Sequence, residues 1–128
     1  MKKIILKAVV KRDEKYLILL RAPTAKDYPE QWDFPGGNLE KNEEPLTGIE
    51  REVKEETGLV VKAINPVATY DEFEDDDQWH FTIYSTKIIS GELSLSHEHT
   101  AFKWATEKEI LALKTQPFIT AYFQQAKT

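Results

Sequence analysis

Glu52, Glu55 and Glu56 stand at i, i+3 and i+4 within "EREVKEETG" (residues 50–58), a spacing that gathers three carboxylates on one side of a helix. Like charges at that interval repel one another, and near a helix C-terminus they also oppose the macrodipole. Local stability does not select them. Two accounts remain: a wet surface on which Arg51 and Lys54 offset the repulsion, or a divalent cation among the acids. Hard ions such as Mg²⁺ take carboxylate and carbonyl oxygens, keep several waters, and commonly bridge protein acids to substrate phosphates. The chain has no cysteine, so an oxygen-only cluster favours Mg²⁺ or Mn²⁺ over zinc.

The acids need a helix, and residues 44–57 supply its signals. Pro45 suits a first-turn position, and Gly58 suits the left-handed residue that closes the helix. Leu46, Ile49 and Val53 form an apolar stripe for docking on a sheet. Gly48 falls on the glutamate side, where an interior glycine costs about 1 kcal/mol relative to alanine, so something is expected to approach the backbone there. Upstream, Pro35-Gly36-Gly37 reads as a strand ending in a turn whose oxygens and amides face a ligand.

The remaining chain alternates strand and helix patterns. "IILKAVVKR" and "KYLILLRA" read as a strand pair around a turn at Arg12-Asp13-Glu14. "LVVKAINPVATYDEF", "WHFTIYSTKIIS" and "AFKWA" add strands, with a bend at Asn65-Pro66 and a turn at Ser90-Gly91. Further helices are expected over Thr106 to Leu113, with Glu109 three residues after Thr106, and over Pro117 to Gln125, where Phe118, Ile119, Tyr122 and Phe123 would pack on the sheet. The interleaving favours an α/β sandwich. At 128 residues, with no linker, repeat or low-complexity tract, residues 1–128 are expected to form one domain. No apolar run approaches the ~18 residues of a membrane span, and absent cysteines suit the cytoplasm. A net charge of −5 argues against binding long nucleic acid.

From Gly37 the chain runs through five residues to Glu43 and seven more to "REVKEETGL" at 51–59. This resembles the signature of the Nudix hydrolases at every fixed position. The resemblance implies a Nudix-type α/β/α sandwich with a mixed central sheet and a loop-helix-loop catalytic motif. It also implies hydrolysis of a nucleoside diphosphate linked to another moiety, with Mg²⁺ or Mn²⁺. Carried onto this chain, it makes Glu52, Glu55 and Glu56 metal ligands with the Gly36 carbonyl, and has Arg51 orient the acids. Glu43 would then brace the loop or simply begin the helix, Gly37 would lie against substrate, and Gly58 would close the motif. Asn42 replaces a frequent glycine, yet asparagine also tolerates the left-handed region. Gly48-Ile49 replaces a pair of small residues.

Beyond the motif, the loop holding Glu98 resembles one from which many family members bring a further acid, making Glu98 general base or extra ligand, with Glu55 the other candidate base. Flanking His97 and His99 make a poor zinc site with Glu98, because in an extended segment the two histidines share one face while Glu98 between them points the other way. Arg21, at a strand end, would add a positive contact to phosphate. Trp32, Phe34, Trp79, Phe81 and Tyr84 are core or base-stacking candidates; alternation separates Trp79, Phe81 and Ile83 from His80, Thr82 and Tyr84, with one set expected in the core. The run "DEFEDDD" (71–77) reads as a solvated connection or a loop that repels extra phosphate. The expected substrate is a small nucleotide, a nucleoside di- or triphosphate or related derivative, bound by a monomer or homodimer. Sugar nucleotides, dinucleoside polyphosphates, RNA 5′ ends and a non-catalytic nucleotide sensor are the alternatives.

Overall fold

Buried residues in the first apolar run face both ways: Leu6, Ala8 and Val10 join one core cluster and Val9 the other. A strand apolar on both faces belongs inside a sheet. The computed structural model, which describes residues 1–127, places it there. Strand β1 (Lys2–Val9) lies between later segments of the chain, antiparallel to one and parallel to the other.

After β1 come β2 (Lys11–Arg12), β3 (Lys15–Arg21), β4 (Trp32–Asp33) and β5 (Gly36–Asn38), then α1 (Pro45–Thr57). They are followed by β6 (Val60–Glu74), β7 (Asp77–Ser90), β8 (His99–Ala105), α2 (Glu107–Leu111) and α3 (Pro117–Ala126). One sheet runs β5-β1-β7-β6 and is mixed, because β1 and β7 are parallel and its other pairs antiparallel. The second joins β2, β3 and β4, with β8 on the other side of β3. The expected pairing of the first two apolar runs is therefore corrected. Only Lys11 and Arg12 pair with β3, across a turn at Asp13 (φ 57°), while β1 buries both faces elsewhere.

Each face of the strands carries its own core. Ile49 and Val53 of α1 pack with Leu6, Ala8, Val61 and Tyr84, whereas Phe118, Ile119, Tyr122 and Phe123 of α3 pack with Phe34, Phe81 and Ile83. Helix, strands and helix thus form the expected α/β/α layers. The apolar stripe of α1 is shorter than expected, since Leu46 is exposed and packing begins at Ile49. Mid-strand β7 is buried on both faces, Ile83 toward α3 and Tyr84 toward α1, instead of on one.

The bend expected at Asn65-Pro66 falls within β6, which continues past it with register shifts on either side of Pro66, where a missing N–H is tolerated at a bulge. One connection differs from the sequence reading. The acidic run is mostly strand: Asp71 to Glu74 finish β6, and only Asp75 (φ 54°) and Asp76 make the turn to β7. Asp71 accepts a bond from Gln78 at 2.9 Å and lies 2.7 Å from His80 Nδ1, holding the hairpin together. Thr106 caps α2 with the reciprocal Glu109 contact expected of it. Among the described residues, no helix is long and apolar enough to cross a membrane.

Candidate functional site

The segment before α1 is built around Phe34, which is fully buried and packs on Tyr16 and Phe118 at ring-centroid distances of 6.2 and 5.8 Å. Phe34 is therefore core and cannot stack a base. Pro35-Gly36-Gly37 is not the exposed turn expected from its composition; Gly36 opens β5 and is buried against β1. At φ 150°, a Cβ on Gly36 would lie 1.9 Å from the Leu6 carbonyl oxygen, so only glycine lets the two strands meet here. The approach aims the Gly36 N–H at Glu56, whose Oε1 accepts it at 2.7 Å.

Glycine makes room for acids at two further points. A Cβ on Gly37 would come 2.6 Å from Glu52 Oε2, and one on Gly48 would come 2.8 Å from Glu43 Oε1. What approaches the helix at Gly48 is thus Glu43 from the preceding loop. Asn42 holds that loop in the left-handed region (φ 65°), and Gly58 (φ 76°) closes the helix with its N–H on the Lys54 carbonyl.

Arg51 gathers the remaining acids. Its Nε and Nη2 donate to the two Glu43 oxygens at 2.7 and 3.1 Å, and its Nη1 donates to Glu55 at 3.0 Å. Glu52 Oε1 lies 3.1 Å from the same Nη1. Glu43 also accepts the Glu40 N–H, so it ties loop to helix. These bonds to Arg51 hold the Glu43 carboxyl below the usual range.

Burial acts oppositely on the other two acids. Glu52 is pushed up, chiefly by loss of solvent. Glu56, 5% exposed, is pushed up to about 8, because desolvation outweighs the favourable Lys7 charge and Gly36 bond. The C-terminal turn of α1 receives the loop after β7: Ser94 N–H donates to Thr57 O at 2.8 Å and Ser96 N–H to Glu56 O at 3.1 Å. That docking satisfies end-of-helix carbonyls and carries Glu98 to the mouth of a cavity of about 490 Å³ also lined by Gly36, Gly37 and Glu56.

The same cavity holds cations. Lys7 Nζ and Arg21 Nη1 share Asp33 Oδ2 at 2.9 and 3.2 Å. Arg21 was expected near phosphate; Lys7 and Asp33 were not singled out. Their signal is a lone lysine inside "IILKAVV" and a lone aspartate between Trp32 and Phe34, charges that an apolar strand retains only when paired. Tyr28, donating to Glu72, lines the cavity with Trp79. Tyr84 faces the other core, and the Trp32 ring lies under Lys103. Of the aromatic candidates, Trp79 and Phe81 line the cavity.

The donor set suits a hard divalent cation. Glu56 and Glu52 have lost solvent without gaining full compensation, and a bound positive charge would supply it. Among the described residues no three acids converge on one cation position; Glu52 and Glu55 pair with Arg51. His97 is exposed while His99 is buried, so they share no site with Glu98.

A family model described as the NUDIX domain matches residues 3–125. A "CTP pyrophosphohydrolase" of Escherichia coli (strain K12) is 30% identical over 86% of this chain and 80% of its own length. A "MutT-like protein" of Streptomyces ambofaciens is 33% identical over 80% of this chain, which spans only 62% of that relative. The crystal structure of a MutT protein from Methanosarcina mazei Go1 superposes with a TM-score of 0.87 at 22% identity, covering 98% of this chain and 94% of that one.

Proposed function

We propose, on the premise that this chain belongs to the Nudix family, that it is a metal-dependent pyrophosphohydrolase cleaving the diphosphate linkage of a nucleoside triphosphate or related nucleotide. One observation carries the reading: a buried carboxyl, Glu56, fixed by the Gly36 amide at the wall of a cavity that also contains Lys7, Arg21 and Glu98. Carboxylates and cations facing one space suit a substrate that brings phosphates and a dication together.

Glu52, Glu55 and Glu56, with the Gly36 carbonyl, would hold Mg²⁺ or Mn²⁺. When bound, the ion supplies neutralisation of phosphate charge and acidification of water. Glu98 accepts the proton of the attacking water, with Glu55 as the second candidate. As the new P–O bond forms, the bridging P–O bond breaks and its electron pair leaves on the departing phosphate. Arg21 and Lys7 offer N–H donors to phosphate oxygens, and Gly37 lines the cavity against the substrate. Arg51 does not line the cavity; it positions Glu52 and Glu55 through the geometry described above. Replacing it with lysine loses the fork that spans Glu43 and Glu55, so Arg51→Lys is expected to lower kcat by about 10–100-fold while the melting temperature moves little.

The name of the E. coli relative supports a nucleoside triphosphate as first choice. The test is a panel of nucleotides and nucleotide sugars with Mg²⁺ or Mn²⁺, with the products separated. Pyrophosphate plus a nucleoside monophosphate is expected. EDTA is expected to abolish turnover and excess Mg²⁺ or Mn²⁺ to restore it; full activity in EDTA refutes the metal role, and no cleavage of any compound refutes the enzyme reading.

A further inference from the structure

His99 opens β8 opposite Arg21 of β3 and is only 6% exposed. Its backbone N–H is held by the Ser96 carbonyl at 3.3 Å, yet neither ring nitrogen has a hydrogen-bond partner. Asp33 is satisfied on one side only: Lys7 and Arg21 both donate to Oδ2, at 2.9 and 3.2 Å, while Oδ1 is buried with no partner. Of the five buried side-chain atoms without a partner among the described residues, three thus belong to His99 and Asp33. Burial lowers the pKa of His99 and keeps its ring neutral, and among the charges that act on the ring Asp33 is foremost, ahead of Lys7, Arg21 and Glu98. A neutral imidazole carries one N–H donor, which is what a bare carboxylate oxygen lacks. The two groups do not bond directly. Buried waters commonly complete such sets by linking two to four polar atoms.

We propose that His99 is a positioning residue: through one ordered water its ring N–H reaches Asp33 Oδ1 and fixes the carboxylate that holds Lys7 and Arg21 for phosphate. This rests on the nucleotide-hydrolase reading above, in which those two cations receive the phosphates. Both are tied to a single oxygen of Asp33, so any rotation of that carboxylate displaces the two donors together. A donor on Oδ1 opposes the rotation, and it also removes the cost of a buried acceptor left bare. His99 does not line the cavity, so it acts through Asp33 and not on substrate.

The test separates positioning from packing. His99→Leu, which fills the space without a donor, is expected to raise the KM for the best nucleotide about 10-fold while kcat changes by less than about threefold. His99→Gln returns an N–H and is expected to bring KM back to within about threefold of wild type. In an Asp33→Asn background, His99→Leu should change KM little further, because the group it acts through is already altered. A purely structural role lowers Tm in both His99 variants without separating KM from kcat. A wild-type KM in His99→Leu, equal losses in the two variants, or full additivity with Asp33→Asn overturns the inference and leaves the hydrolase reading intact. If the wild type cleaves no nucleotide, that reading fails, and the imidazole nitrogen–proton NMR spectrum decides the contact by itself. A single tautomer with a slowly exchanging ring N–H that shifts in Asp33→Asn is expected; a ring proton lost to solvent exchange, or unmoved by Asp33→Asn, overturns it.

Discussion

Glu56→Gln is expected to keep the fold and to lose on the order of 10²–10⁴-fold in kcat at saturating Mg²⁺. The substitution keeps the acceptor that receives the Gly36 N–H, at 2.7 Å in the wild type, and keeps the volume in a position that is 5% exposed. It removes the charge. Without metal, burial already favours the neutral form of Glu56, with a pKa pushed up to about 8, so glutamine imitates what the apo protein holds at pH 6. The pH dependence of stability separates this account from simple damage. A carboxyl whose folded pKa is raised contributes stability that is fully present below its unfolded value near 4.5 and is lost as pH rises through about 8. Wild type in EDTA is therefore expected to melt about 5–10 °C lower at pH 9 than at pH 6 from this group, while Glu56→Gln follows a flatter curve. Excess Mg²⁺ should restore the wild type at pH 9 and leave the variant unmoved. Metal uptake at pH 7 should also release a proton, measurable by calorimetry in buffers of different ionisation enthalpy. Parallel melting curves for the two proteins across this range would falsify the assignment of Glu56 as the buried, charge-compensated ligand.

The helix and its acids were legible because their signals are local. Pro45, Gly58 and the i, i+3, i+4 spacing of Glu52, Glu55 and Glu56 all lie within one stretch, and each acts through its neighbours in sequence. The strand pairing of β1 was not legible, because parallel pairing with β7 spans more than seventy residues and leaves no turn between partners. Composition misled at two points. A Pro-Gly-Gly run normally marks a turn, but here the glycines clear space for Leu6 O and Glu52. Seven largely acidic residues normally mark a loop, but Tyr70, facing Phe81 across the hairpin, sets a register that carries β6 through Glu74. The cavity is lined by Lys7 and Gln116, with Asp33 paired to Lys7 behind it, three residues far apart in sequence that no motif connects. Only a lone charge in an apolar strand hinted at the first two, and nothing distinguished Gln116 from an ordinary cap.

The two glycines preceding Asn38 are expected to fail in different ways when each is replaced by alanine. At Gly36 the added methyl meets backbone, the Leu6 carbonyl oxygen at 1.9 Å and Lys7 Cα at 2.8 Å, and φ 150° is a conformation that alanine rarely adopts. Neither atom can move without disturbing β1, whose neighbours on both sides depend on its register. Gly36→Ala is therefore expected to cost about 4 kcal/mol or more, roughly 10–20 °C in Tm. At Gly37 the methyl meets the far end of a side chain, Glu52 Oε2 at 2.6 Å, which can swing aside. Gly37→Ala is thus expected to lower Tm by only about 2–5 °C, yet to reduce kcat by about 10–100-fold, since the displaced carboxylate is one of the proposed ligands. Thermal melts and kcat measured on both variants separate the roles. A Gly36→Ala protein as stable as wild type would mean that β5 does not approach β1 through this glycine, and the route by which the Gly36 amide reaches Glu56 would have to be abandoned with it.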